Sequence, residues 1–316
     1  MRLSPLVLAI LLCSLQTTAD AAGVTFIDIP ADAERPAIHG AVWYPCAAPP
    51  GPVTLGRIVV PAVKDCPVDG TKLPLIVMSH GNLGWFGGHH DTAEALADAG
   101  FVVAAVTHPG DASSDPTRSV FERPADIKRL IDYMTATWAD HAVIDADHIG
   151  FFGFSRGGYT GLVVLGGNPD LHQADTLCRD GLKFSLCDQL RDHGLPSASP
   201  VHDSRIKAAV LADPGRRMLF SSNSLTSVNA PIQLWASERG GDGVTRDLVE
   251  EIKSYLPAPP DYHLVHAGHF AFLAPCSPEQ AAAMPIFCVD ADGFDRAAFH
   301  KEFNAAVIAF FQQHLR

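Results

Sequence analysis

Gly153-Phe154-Ser155-Arg156-Gly157 sets a serine between two glycines, and Gly158 extends the run. A hydroxyl is a weak nucleophile until a neighbouring base takes its proton, so the motif matters only if folding supplies a partner. Its surroundings favour that. An apolar run over 148–154 ends at the serine, and a helical segment over 156–165 starts right after it. A serine at a strand-to-helix junction is forced into a tight turn, where glycines remove side chains that would clash. The turn lifts the hydroxyl clear of the sheet, and the positive end of the following helix favours negative charge beside it. Ser155 is the candidate nucleophile.

The base must come from elsewhere in the chain. His269, in His266-Ala267-Gly268-His269-Phe270, follows the last expected strand and precedes the C-terminal helix, which makes it the candidate base. His266 lies within that strand and reads as a packed or surface histidine. A metal shared by His263, His266 and His269 is not expected, because residues three apart on a strand face opposite ways.

The carboxylate that would hold the imidazole is less sharply marked. The loop after an expected strand at 232–236 offers Glu238 and Asp242, and Asp213 closes the strand before it in Ala212-Asp213-Pro214. Asp242 is the first choice, with Asp213 and Glu238 as alternatives. Backbone amides must then receive the oxyanion of a tetrahedral intermediate. One is expected at Arg156. The other is expected in His80-Gly81-Asn82-Leu83-Gly84, with Asn82 preferred and Leu83 second. The Arg156 side chain is expected in a structural salt bridge or against a polar part of a substrate. His89-His90-Asp91 reads as solvated histidines ahead of a helix cap, and none of these groups calls for a metal or an organic cofactor.

These residues need a frame of alternating strands and helices, which implies a mostly parallel sheet covered on both faces. Strands are expected at 24–29, 38–44, 73–79, 101–106, 148–154, 206–212, 232–236 and 262–266. The first two could pair as an antiparallel edge. Helices are expected at 91–99, 124–138, 156–165, 245–256 and 296–314, the first with a capping-box-like start at Asp91 and Glu94. A Pro/Gly-rich stretch runs over 45–70. From 166 to 203 periodicity fails, and this insert reads as a cap or lid. There is no internal repeat, so one domain over 23–316 suffices.

Met1-Arg2, an apolar run over 6–12 and small residues up to Gly23 read as a signal peptide over 1–22, cleaved near Ala21 or Ala22. That implies a secreted or periplasmic protein of about 290 residues, a size that α/β folds reach without dividing. The apolar run is too short to span a bilayer, so stable membrane insertion is not expected. The formal charge of −12, without a lysine or arginine cluster, disfavours nucleic acid and anionic lipid. Of seven cysteines, Cys13 leaves with the signal. The other six fall into local pairs, Cys46 with Cys66, Cys178 with Cys187 and Cys276 with Cys288. Disulfides fit an oxidising compartment, and the spacings lack the short Cys-x-x-Cys or Cys-x-x-His runs of a zinc site.

Ser79-His80-Gly81-Asn82, Gly153-Phe154-Ser155-Arg156-Gly157-Gly158 and Ala267-Gly268-His269-Phe270-Ala271-Phe272-Leu273 resemble a bacterial group of predicted dienelactone hydrolases related to platelet-activating-factor acetylhydrolases. The resemblance runs from Trp43-Tyr44-Pro45 to the final helix. It implies an α/β-hydrolase fold, a Ser-Asp-His triad and cleavage of small esters without cofactor. Dienelactone hydrolases carry a cysteine where this chain has Ser155. The acetylhydrolases' acid position corresponds to Asp213, and that of other bacterial members to Asp242, so the choice stays open. The expected activity is carboxylic-ester hydrolysis of a small-molecule substrate. The alternatives are a serine peptidase or amidase with the same residues, and a binding protein that keeps the fold without catalysis.

Overall fold

A computed structural model describes residues 22–112, 117–181, 185–195 and 198–316. The expected signal peptide lies outside them except for Ala22. Among the described residues the strands are β1 (Gly23–Ile29), β2 (Ile38–Tyr44), β3 (Gly51–Leu55), β4 (Ile58–Lys64), β5 (Leu73–Ser79), β6 (Val102–Val106), β7 (Ile144–Phe154), β8 (Ile206–Ala212), β9 (Ile232–Ser237) and β10 (Asp261–Val265). They form one sheet in the order β10-β9-β8-β7-β5-β6-β2-β1-β4-β3. From β6 to β10 every neighbour is parallel, whereas β2 runs antiparallel to both β6 and β1. The sheet is mostly parallel, as the alternation of elements requires.

Side-chain alternation divides the core in two. Leu75 and Val77 of β5 face one layer and Ile76 and Met78 the other, all buried. The first layer is covered by α2 (Arg118–Ala136), α3 (Arg156–Val164) and α6 (Arg246–Tyr255). The second is covered by α1 (His90–Asp98) and α9 (Arg296–Leu315). Strands buried on both faces read as continuous apolar runs, which is why β5, β6 and β7 stand out in the sequence.

Several elements differ from expectation, and three of the differences have a clear physical reason. Helix α2 begins at Arg118 rather than at Pro124, which lies within it. Proline has no N–H for the carbonyl four residues back, here Val120. The Tyr159 hydroxyl of α3 donates to that carbonyl at 3.2 Å, so a tertiary contact replaces the missing helical bond. Helix α1 lacks the expected cap, because the Asp91 side chain turns to α9 instead, meeting His300 Nδ1 at 2.6 Å and accepting from Asn304 Nδ2 at 3.1 Å. The Pro/Gly-rich stretch contains the β3–β4 hairpin, whose buried Val53, Leu55, Val60 and Ala62 flank a turn at Gly56, φ +54°.

Cys46–Cys66, Cys178–Cys187 and Cys276–Cys288 lie at disulfide distance, in the local pairs that proximity favoured. Such bonds fit an oxidising compartment. No helix among the described residues is long and apolar enough to cross a membrane. The insert holds α4 (Leu171–Arg179) and α5 (Ser185–His193), joined by the Cys178–Cys187 pair. Gln173 of α4 donates to the carbonyls of Met218 and Phe220, which docks the insert on the segment after β8. The Cys276–Cys288 pair closes α7 (Pro278–Ala283) and α8 (Pro285–Cys288).

Candidate active site

The carboxyl ends of β5, β7, β8, β9 and β10 lie along one edge of the sheet, and the chemistry-bearing residues follow them. Ser155 caps α3 with φ 53° and ψ −114°, a left-handed conformation that costs a residue with a Cβ on the order of 1–3 kcal/mol. The strain is held from both sides. Ser155 N donates to Ala212 O at 2.9 Å, and its carbonyl accepts from Gly215 N at 2.9 Å. A Cβ on Gly157 would lie 1.8 Å from Ser79 O, and one on Gly153 would lie 2.3 Å from Gly157 O. The two motif glycines are therefore demanded by close backbone approach.

His269 follows β10 in a 3₁₀ turn (His269–Phe272), and its ring lies 4.6 Å from that of Phe154, beside Ser155. His269 Nδ1 is 2.9 Å from Asp213 Oδ2, with both side chains out of solvent. Asp213 has φ 45°, directly after β8. Its Oδ1 accepts from Ser237 N at 2.6 Å, and its Oδ2 also accepts from the Ser237 hydroxyl. A carboxylate so placed fixes the Nδ1–H tautomer and leaves Nε2 as the basic nitrogen. Nε2 is buried and has no hydrogen-bond partner.

Asp242, the first choice from sequence, is not on His269. It sits at φ 47° in an exposed turn of the β9–α6 loop, which gives it no burial in which to hold an imidazole. Glu238 meets His266 Nδ1 at 2.5 Å on the surface, an ion pair separate from His269. Of the three candidate acids, Asp213 is the one whose carboxylate meets His269. His263 stacks flat on Trp235, with centroids 4.1 Å apart. His89 departs from the expected solvated state. Its ring is buried against Phe152 and Phe154, its Nδ1 lies 3.0 Å from Phe272 O, and burial pushes its pKa down to about 4.

The His80–Gly84 loop lies against the turn that carries Ser155. A Cβ on Gly81 would be 3.4 Å from Ser155 Cβ. The loop closes through Gly84 N to Gly81 O at 3.3 Å, leaving Leu83 at φ 52° with its side chain exposed and Asn82 half-buried. Arg156 opens α3, so its N–H is free of intrahelical bonding. Its guanidinium is half-buried, and burial lowers its pKa against the attraction of Asp111 and Asp242.

Sequence reasoning missed the support beneath this loop. Arg123 of α2 is fully buried and reaches His80 O and Gly81 O. Ser79 Oγ lies 2.9 Å from His108 Nε2, and His108 Nδ1 lies 3.0 Å from Asp126 Oδ2. This Ser79-His108-Asp126 row is sealed from solvent and suits support of the loop, not attack on a substrate. Burial holds His108 well below its usual range and raises Asp126 to about 7. The only available signal was polar residues inside otherwise apolar elements. A cavity of about 250 Å³ between residues 228–232 and 256–259 lies at the opening end of β9, away from Ser155.

No protein-family profile and no curated protein matches this sequence. Among solved structures the chain is similar to a ferulic acid esterase from Streptomyces cinnamoneus, with a TM-score of 0.62 over 96% of this chain and 92% of that one. This chain has the α/β-hydrolase fold. Sequence identity to that esterase is 18%, so the likeness concerns the fold. In α/β sheets ligands bind outside the carboxyl ends of the strands, the edge where Ser155, Asp213 and His269 gather.

Proposed function

We propose that this chain is a serine hydrolase that cleaves carboxylic esters. The observation that carries the reading is the buried 2.9 Å contact between His269 Nδ1 and Asp213 beside Ser155 on its strained turn. In the reaction, His269 Nε2 takes the Ser155 proton as the hydroxyl oxygen attacks the ester carbonyl. Asp213 stabilises the imidazolium, and the amides of Asn82 and Arg156 receive the oxyanion. The tetrahedral intermediate collapses, and His269 gives its proton to the departing alcohol. Water then attacks the acyl-enzyme by the same proton path in reverse, releasing the acid and restoring Ser155. The residues need no metal or cofactor for these steps.

The substrate is a small-molecule ester, and the esterase that shares the fold makes hydroxycinnamoyl esters such as feruloyl esters worth including. The motifs also favour the dienelactone-hydrolase-like group related to platelet-activating-factor acetylhydrolases. The 166–203 insert acts as a cap that helps shape the substrate pocket, and export by the N-terminal signal delivers the chain to the compartment where its cysteines pair. The test is a panel of p-nitrophenyl and feruloyl esters beside peptide and anilide substrates, with Ser155→Ala as the control. Ester turnover abolished in Ser155→Ala supports the reading. Amide cleavage alone, or activity that survives in Ser155→Ala, refutes it.

A further inference from the structure

Arg123 is fully buried on α2, and its guanidinium makes four hydrogen bonds to Asp111, His80 and Gly81, with Nη2 also 3.1 Å from His80 Nδ1. Nε and Nη2 donate to Asp111 Oδ1 and Oδ2 at 2.9 and 2.8 Å. Nη1 donates to His80 O and Nη2 to Gly81 O, each at 2.8 Å. A buried ion pair is a poor source of stability, because desolvation offsets the attraction. A cation sunk into the core to hold two consecutive carbonyls of one loop calls for another explanation.

Peptide geometry supplies it. Among the described residues no peptide is cis, so the Gly81–Asn82 unit is planar and trans, with Asn82 N–H pointing opposite to Gly81 C=O. Whatever fixes the Gly81 carbonyl therefore fixes the direction of the Asn82 N–H. Three donors converge on that oxygen. They are Arg123 Nη2 at 2.8 Å, Gly84 N at 3.3 Å and His80 Nδ1–H at 2.7 Å. His80 can donate there because His108 N donates to its Nε2 at 3.1 Å, which places the ring proton on Nδ1. Burial first, then the Arg123 charge, hold His80 well below its usual range and keep the ring neutral. A cation bonded to a carbonyl also polarises the amide, making its N–H a stronger donor.

We propose that Arg123, anchored by Asp111, is a positioning residue that aims the Asn82 N–H as an oxyanion donor. The assignment rests on the serine-hydrolase reading above. Only a planar fork bridges two carbonyls and a carboxylate together, so lysine cannot replace it. Loss of one oxyanion donor costs about 10²–10³-fold in rate, and a donor held in a wrong direction keeps part of that. Arg123→Gln is therefore expected to lower kcat about 10–100-fold with little change in KM.

The experiment measures kcat, KM and two inhibition constants for wild type, Arg123→Gln, Arg123→Lys and Asp111→Asn. An alkylboronic acid forms a tetrahedral adduct on serine and probes the oxyanion site, whereas the carboxylate product probes ground-state binding. The expected result is weaker boronate inhibition by the same factor as the loss in kcat, with product inhibition unchanged. Arg123→Lys should fail like Arg123→Gln, and Asp111→Asn should show a smaller loss of the same kind. Wild-type kcat and boronate inhibition in folded Arg123→Gln would overturn the proposal, as would equal weakening of boronate and product. Should Arg123→Gln not fold, the other two variants carry the test. A boronate complex of wild type adds a check that needs no variant, because Asn82 N must lie within hydrogen-bond distance of a boronate oxygen while Gly81 O stays on Arg123. Wild type that is neither labelled at Ser155 by a fluorophosphonate nor inhibited by boronate would instead remove the hydrolase reading itself.

Discussion

Asp213→Asn changes one atom of the site, and the contacts around it dictate the outcome. Asp213 Oδ1 accepts the Ser237 N–H at 2.6 Å, so the oxygen of an asparagine must stay at that position. Its NH2 group then occupies the Oδ2 position, 2.9 Å from His269 Nδ1. An amide donor there requires Nδ1 to accept, which moves the ring proton to Nε2. The nitrogen meant to take the Ser155 proton is then already protonated. The equivalent change in a serine-protease triad costs about 10⁴-fold in kcat, or about 5 kcal/mol at about 1.36 kcal/mol per decade. Asp242→Ala, in an exposed turn, should stay within about threefold of wild type, as surface changes do. The assay is steady-state hydrolysis of p-nitrophenyl acetate, with circular dichroism to establish folding. Asp213→Asn that retains more than a tenth of wild-type kcat, or Asp242→Ala that loses most of it, refutes the reasoning.

Other consequences can be checked by unfolding. Ser155→Gly should be inactive yet more stable by about 1 kcal/mol, because glycine takes the positive φ without strain; a lower melting temperature would count against this. Tyr159→Phe leaves the Val120 carbonyl unpaired and should cost about 1–3 kcal/mol in urea. The cost should shrink in a Pro124→Ala background, where residue 124 regains an N–H for that carbonyl, and an equal cost in both backgrounds would remove the explanation. Acid should destabilise the protein between about pH 6.5 and pH 4. His80, His89 and His108 are held neutral by burial, so the unfolded chain takes up three protons there that the native state refuses. Asp126, raised to about 7 by burial, keeps a proton when folded and offsets one of the three. The net of about two protons gives a slope near 3 kcal/mol per pH unit, seen as unfolding free energy against pH, and a flat profile would contradict it.

The parallel part of the sheet was legible because its strands are buried on both faces and appear as apolar runs between turn residues. The Ser155 junction was legible for the same reason, since strand, glycines and helix are contiguous in the chain. Contacts that join distant segments were not. Asp213 and Asp242 both follow strands in suitable loops, and only folding shows which meets a residue fifty-six positions from Asp213. The start of α2 was misplaced because Pro124 reads as a helix start, and the Tyr159 hydroxyl that lets it sit inside the helix comes from α3. The β3–β4 hairpin was hidden by its prolines, which sit opposite each other as Pro52 and Pro61 at the sheet edge, where a missing donor is tolerated. Arg123 was invisible as anything but a charge in a helical pattern, because its partners, Asp111, His80 and Gly81, come from two other segments.

The most direct test of the account asks whether Ser155 is an activated nucleophile. Folded protein is incubated with a fluorophosphonate and measured by intact mass and peptide mapping. The account predicts one adduct per chain, on the Ser155 peptide, absent in Ser155→Ala and formed far more slowly in Asp213→Asn. No adduct on folded wild type, or an adduct on another residue that survives in Ser155→Ala, would contradict it.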